Sequence, residues 1–366
     1  MIASLFPSLS PLARAVAAGA TALLLTLLAG PAFIRWLKRR GMAERPDKSD
    51  SPALATLWSR TPKGDTPTMG GLLLVGAFLA STIAWTLPVA SEAWLAPLAV
   101  VGFAAVGVAD DRIKLTSSTR GGLSRRQKMT ALSAVAVLLL LAYLTFAASA
   151  GRTSPLTLHF PFSIKESAAD LSSLGLLGTV VFLGLGWFVL VGAANSVNIA
   201  DGMDGLAAGL SLFVALALAV LAAGAGLPDS SARFGLPLAP GAGETAVVAA
   251  ALAGATLGFL WFNCHPAQVF LGDTGALALG GGLGALAIAC KQELVLPIVA
   301  AVLVAEAASS WIQIAWFKRT GRRLLPIAPL HHIPQLRGAA EPRVVLGFWL
   351  AGAASALGGV ALAGIR

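Results

Sequence analysis

Ten stretches of this sequence stay apolar for about 20 residues each, the length a helix needs to cross the hydrocarbon core of a bilayer. They run approximately over 14–35, 69–88, 93–110, 129–149, 174–194, 205–224, 245–263, 274–291, 294–316 and 344–364. A chain in lipid must satisfy its own backbone N–H and C=O groups, so such runs fold as helices. Composition agrees: 57% of the 366 residues are hydrophobic and 12% are charged, too little polar surface for a soluble domain of this length. Forty glycines suit helices that pack closely in lipid, where small residues let backbones approach. The expected fold is an all-α integral membrane protein with about ten transmembrane helices, a single polytopic domain over residues 1–366.

The basic residues orient it. Twenty of the 26 Lys and Arg fall in three segments, eight from Arg35 to Lys63, six from Arg112 to Lys128 and six from Lys318 to Arg343. With ten spans all three lie on one side, and because basic loops stay inside during insertion, that side is cytosolic and both termini are periplasmic. The first apolar run is longer than a signal-peptide core, and its basic cluster follows it, so a retained helix is expected there. The net charge of +9 is then mainly topological, with a contribution to binding anionic lipid or substrate; no nucleic-acid partner is expected. Cys264 and Cys290 have no metal-ligand spacing and read as packing residues. Alternation in Leu156 to Phe160 suggests a short strand or hairpin between Gly151 and Leu171. The stretch from Gly226 to Gly243, rich in Gly, Pro and Ser, reads as a plain connector.

Acidic residues number 17, and five of them form three compact clusters on the basic side. Asp110 and Asp111 end the third span; Asp201 and Asp204 lie between the fifth and sixth, in the run from Asn195 to Gly205; Asp273 lies between the seventh and eighth. Carboxylates near hydrocarbon are costly unless paired, hydrated or bound to a cation. A few hard oxygen ligands suit Mg²⁺, which keeps several waters and shares substrate phosphates. Each cluster alone has a plainer reading, as a solvated helix end or an ordinary Asn/Asp/Gly turn. Three on one face point to a magnesium pyrophosphate site. His331 and His332, adjacent in the last basic loop, are either ligands or donors to phosphate, or a solvated pair. His159 and His265 are isolated and receive no chemistry.

The order of these motifs resembles the polyprenyl-phosphate N-acetylhexosamine-1-phosphate transferase superfamily, and within it the phospho-N-acetylmuramoyl-pentapeptide branch. The likeness runs through Thr66-Pro67-Thr68-Met69-Gly70-Gly71, Asp110-Asp111, Asn195 to Leu206 and Trp261-Phe262-Asn263. It continues through Pro266 to Asp273, Lys291 to Leu294, Ala328 to His332 and Glu341 to Val344. The resemblance implies UDP-N-acetylmuramoyl-pentapeptide and undecaprenyl phosphate as substrates, lipid I and UMP as products, and a Mg²⁺ cofactor, in peptidoglycan synthesis. It matches Asp273 to the magnesium ligand and Asp110 and Asp111 to the pair that handles the lipid phosphate. His331 and His332 match the first two of a catalytic histidine run. Asn195, Asn198, Asp201 and Asp204 match the nucleotide site, and Phe270 the aromatic that stacks on uracil. Lys63, Thr68, Lys128 and Gln313 match further nucleoside or phosphate positions. It also implies a homodimer in the bacterial inner membrane.

Two departures stand out. The family has three histidines followed by an aromatic and an acid, where this chain has Ile333, Pro334 and Gln335 after the pair. Asp65 replaces the glycine usual before Thr-Pro-Thr-Met. The first keeps open a transferase acting on UDP-N-acetylglucosamine or a related donor for another envelope glycan. A third reading, an ion-coupled transporter, rests on Glu306 inside the ninth span, which equally suits a hydrogen bond to a neighbouring helix; transporters place such groups near the midplane, often in repeated halves, and no repeat is evident here.

Overall fold

The structure is a computed structural model. It describes residues 2–5, 8–43, 66–88, 91–117, 121–149, 155–160, 168–234, 236, 238–239 and 241–363. The helices are α1 (Pro11–Arg39), α2 (Gly71–Trp85), α3 (Leu95–Thr116), α4 (Arg125–Ser149), α5 (Leu176–Ala200), α6 (Leu206–Ala225) and α7 (Pro228–Phe234). They continue as α8 (Ala242–Asn263), α9 (Gly272–Ala289), α10 (Leu296–Val299), α11 (Ala301–Thr320), α12 (His332–Leu336) and α13 (Glu341–Ala363). Between α4 and α5 lies a two-stranded antiparallel hairpin, β1 (Thr157–His159) and β2 (Ala168–Asp170), with Leu158 opposite Ala169. The alternating residues thus form the expected strand.

Among the described residues, eight helices are long and apolar enough to cross a membrane. They are packed on the inside and apolar on the outside: Leu28, Leu138, Leu350 and Leu357 are exposed on α1, α4 and α13. A bundle with that surface needs lipid as its solvent. At the centre sits α9, almost wholly buried, packed most extensively against α3 and α5 and also against α2 and α6. Its glycines at 280, 281, 282 and 284 leave room for those neighbours, and α1, α6 and α8 close a second packed group beside it.

The other two expected spans differ. The second is a fifteen-residue helix, α2, shorter than a full crossing. The ninth is broken at Ala300, and from Trp311 to Thr320 α11 is exposed except at Gln313, so its second half leaves the bundle. The connector after Gly226 is not plain: it folds the short helix α7, which Pro228 can start because the first helical position needs no N–H.

Helix ends also lie further out than apolar length implied. Helix α3 continues to Thr116, so Asp110 and Asp111 lie within it; α5 continues to Ala200, so Asn195 and Asn198 are helical; Asp273 is in the first turn of α9.

Candidate active site

The C-terminal ends of α3, α5 and α8 meet the N-terminal ends of α2, α4, α6, α9 and α13 at the end of the bundle that carries the basic residues. There Asp110, Asp111 and Asp273 are all buried, and a carboxylate oxygen from each lies within 4.8 Å of the others. Two ammonium groups meet them. Lys114 Nζ is 2.9 Å from both Asp110 Oδ2 and Asp273 Oδ2, and Lys128 Nζ donates to Asp273 Oδ2 at 2.6 Å. Lys128 also donates to Asn198 Oδ1 at 3.1 Å, while Asn198 Nδ2 donates to Asp273 Oδ1 at 2.7 Å.

The two adjacent aspartates do different jobs. Asp111 caps helix α9 from outside: Oδ1 accepts from Asp273 N–H at 3.1 Å, and Oδ2 accepts from Thr274 N–H at 2.9 Å and Thr274 Oγ1 at 2.7 Å. Orphan N–H groups at a helix start need such an acceptor, and the helix dipole favours a negative one. The fit requires glycine at 272, whose φ of +70° suits the turn and where an added methyl carbon would stand 2.8 Å from Asp111 Oδ2. Asp110 instead faces Lys114 and accepts from Leu123 N–H at 2.8 Å, tying the start of α4 to the cluster.

Thr68 and Phe270 come together through backbone pairing. Phe270 N–H donates to Pro67 O at 2.8 Å, and Gly70 N–H donates back to Phe270 O at 2.9 Å. Thr68 is buried and Phe270 half-buried.

Five carboxylates around one centre is not the arrangement found. Asp204 belongs to a second cluster with Glu341 and His265: Glu341 Oε1 accepts from Asp204 N–H at 2.8 Å, and Asp204 Oδ2 meets His265 Nδ1 at 3.2 Å and Ala267 N–H at 3.1 Å. This cluster ties the α5–α6 turn and the start of α13 to the loop that carries Phe270. Asp201 caps the end of α5, half-buried. Asn195 turns its amide back to Val191 O at 2.8 Å on its own helix, and Gln313 spends both amide atoms on Leu324 and Leu325. Lys63 lies outside the described residues.

The histidine pair is buried and forms a third group. His331 Nδ1 is 3.0 Å from Glu306 Oε2, its Nε2 is 3.2 Å from His332 Nε2, and His332 Nδ1 is 3.2 Å from Gln335 Oε1. Burial, then the neighbouring His331, push His332 down to about 4, so it is a neutral imidazole near pH 7.

Sequence reasoning passed over Lys114, gave His265 no chemistry, and placed Glu306 outside the site. Lys114 sits one helical turn beyond Asp110, a spacing that places both on one face once α3 is known to continue. Glu306 stood out as a carboxylate inside a span, but its partner and that of His265 were not readable, being 25 and 61 residues away.

Comparison with known proteins agrees with this layout. The profile of glycosyl transferase family 4 matches residues 93–291, which hold the carboxylate cluster and its lysines. The phospho-N-acetylmuramoyl-pentapeptide-transferase of Ruegeria pomeroyi is 38% identical over 353 residues, covering 96% of this chain and 94% of that protein. Those of Chlorobium luteolum and Chlorobaculum parvum are each 38% identical, covering 92% of this chain and 89% of their own. With a family profile over more than half its length and relatives matched nearly end to end, the chain belongs to glycosyl transferase family 4 and, within it, to the phospho-N-acetylmuramoyl-pentapeptide-transferases.

Proposed function

We propose that this protein transfers phospho-N-acetylmuramoyl-pentapeptide from its UDP donor to undecaprenyl phosphate, giving lipid I and UMP for peptidoglycan synthesis. The observation that carries it is the buried set of three carboxylates and two lysines at the basic end, in a chain matched nearly end to end by transferases of that name. The reading includes a bacterial inner-membrane location, ten crossings that count the short α2 and the broken α10–α11 beside the eight long helices, both termini periplasmic and the carboxylate cluster facing the cytosol. The three basic segments support that orientation. The complete enzyme is read as one domain and as a homodimer.

The donor set fits magnesium: hard carboxylate oxygens within 4.8 Å of one another, with more negative than positive charge among the groups that meet there. Asp273 and Asp110 would hold the ion in place of the ammonium groups they now share, whereas Asp111 is committed to the N–H and O–H donors at the start of α9. Bound there, Mg²⁺ supplies charge neutralisation at the pyrophosphate.

The chain's own residues handle position and charge. An oxygen of the lipid phosphate attacks the sugar-linked phosphorus, and the bond from that phosphorus to the bridging oxygen breaks, leaving with UMP. Such transfers depend on alignment and electrostatics more than on covalent work by the protein. The acceptor monoester is largely ionised near neutral pH, its second pKa being ~6, so Asp110 orients the nucleophile and no strong base is required. Lys114 and Lys128 balance the phosphate charge, with Asn198 fixing Lys128. Phe270 and Thr68 line the nucleoside side. His331 and His332 lie toward the sugar.

UMP release from purified protein with undecaprenyl phosphate and Mg²⁺, offering each nucleotide sugar separately, tests the reading. Release with UDP-N-acetylmuramoyl-pentapeptide and not with UDP-N-acetylglucosamine is expected. The reverse preference would keep the chemistry and move the protein to another envelope glycan.

A further inference from the structure

Glu306 is fully buried in the second turn of α11, among apolar helices, where a carboxylate is costly unless fully engaged. Both its oxygens are spent on one residue: Oε1 accepts from the backbone N–H of His331 at 3.1 Å, and Oε2 lies 3.0 Å from His331 Nδ1. Backbone and ring are therefore fixed together. An accepting carboxylate puts the hydrogen on Nδ1 and turns Nε2 toward His332, 3.2 Å away. Gln335, standing where the family has an acid, meets the far nitrogen of His332 at 3.2 Å. From the other side, the ring lies against the α5–α6 turn: a methyl carbon added at Gly202 would stand 2.5 Å from His331 Nε2. That turn continues the helix that carries Asn198 to Asp273.

We propose that Glu306 is a positioning residue for the donor side of the reaction: it seats His331 against the Gly202 turn, and the chain from His331 through His332 to Gln335 is built on that seat. The inference rests on the transferase reading above. It also gives the carboxylate in the ninth span a role other than ion transport, and it explains how the loop is held without a third histidine.

The test uses the purified full-length protein, with Michaelis constants for the UDP donor and for undecaprenyl phosphate measured separately from UMP release. Glu306→Gln keeps an acceptor for the backbone N–H but presents NH₂ to Nδ1, reversing the tautomer. Gly202→Ala displaces the same ring from the opposite side. Each is expected to raise the donor KM about tenfold, the scale of a lost buried hydrogen bond, and to leave the acceptor KM within about twofold. The double variant is expected to be no worse than the poorer single, because both act on one ring. Independently of activity, Glu306→Ala is expected to speed hydrogen exchange in the 329–336 segment, where the His331 amide loses its acceptor.

Unchanged exchange in Glu306→Ala overturns the seating. Equal effects on both substrates, or additive losses in the double variant, overturn the donor-side role. Should Glu306→Ala fail to fold, Gly202→Ala carries the kinetic comparison. A parent protein that releases no UMP from any nucleotide sugar defeats the transferase reading and the donor-side role with it, while the exchange result still decides the seating.

Discussion

At the basic end three carboxylates share two ammonium groups, whereas at the far end Arg14 and Glu244 hold each other one to one. The far pair is closed: the guanidinium meets both carboxylate oxygens, Arg14 Nη1 also reaches Trp85 O at 3.2 Å, and Leu87 N–H donates to Glu244 Oε2 at 2.8 Å. Those bonds fasten the start of α1 to the end of α2 and the start of α8. The basic end is open: Lys114 is 35% exposed at its side chain, and negative charge exceeds positive. Buried charge with matched partners fastens a fold, while buried carboxylates in excess of the lysines they meet leave a negative charge that a cation can offset.

That contrast fixes the expected effects. The largest belongs to Asp273, which every polar group of the cluster touches. Asp273→Asn is expected to lower the rate of UMP release by roughly a thousandfold or more, the scale seen when a charge-stabilising group is removed from a site. Its thermal midpoint in detergent should stay near that of the parent; full activity would remove Asp273 from its assigned role. Next comes Arg14→Met, which leaves the Glu244 carboxylate buried without its counter-charge. Breaking one side of such a pair costs about 3–5 kcal/mol, so a marked fall in thermal midpoint is expected, with parental kcat in the fraction that remains folded. A change in kcat without loss of stability would break the distinction between the two ends.

The smallest effect is a pH dependence outside the spans. Glu293, in the turn between α9 and α10, is buried with no hydrogen-bond partner for Oε1 among the described residues, and burial pushes it up to about 7 from the ordinary 4.5, against a smaller opposing pull from Lys291. The folded state therefore binds this proton more tightly than the unfolded chain. Its contribution to stability is complete below pH 4.5 and is lost as pH rises through about 7. Glu293→Gln should flatten that part of the stability profile. A parent and variant with parallel thermal midpoints between pH 5 and 7.5 would show that the group does not titrate there.

Much of the fold was legible because lipid imposes a length and a composition on whatever crosses it. The position of α9 at the centre was not, since glycines are spread over many of the apolar runs and do not say which helix the others pack around. Within the site, Asp110, Asp111 and Asp273 were legible as carboxylates at membrane depth. The division of labour between Asp110 and Asp111 was not, because neighbours in sequence point about 100° apart on a helix, and only the start of α9 shows which one it needs. Asn195 and Asn198 sit one turn apart, yet one bonds its own backbone and the other reaches Asp273.

The sequence by itself determined that this chain is a helical membrane protein with a concentration of acid and base at one end, and its motifs carried the family. Apolar length, charge placement and motif order are local properties that survive without coordinates. The tertiary structure alone decided which carboxylates share an ion-sized space, that Lys114 joins them, and that Glu306 answers His331 across 25 residues. The reason is physical: a hydrogen bond or ion pair acts over about 3 Å, and which groups come that close depends on how helices far apart in sequence pack.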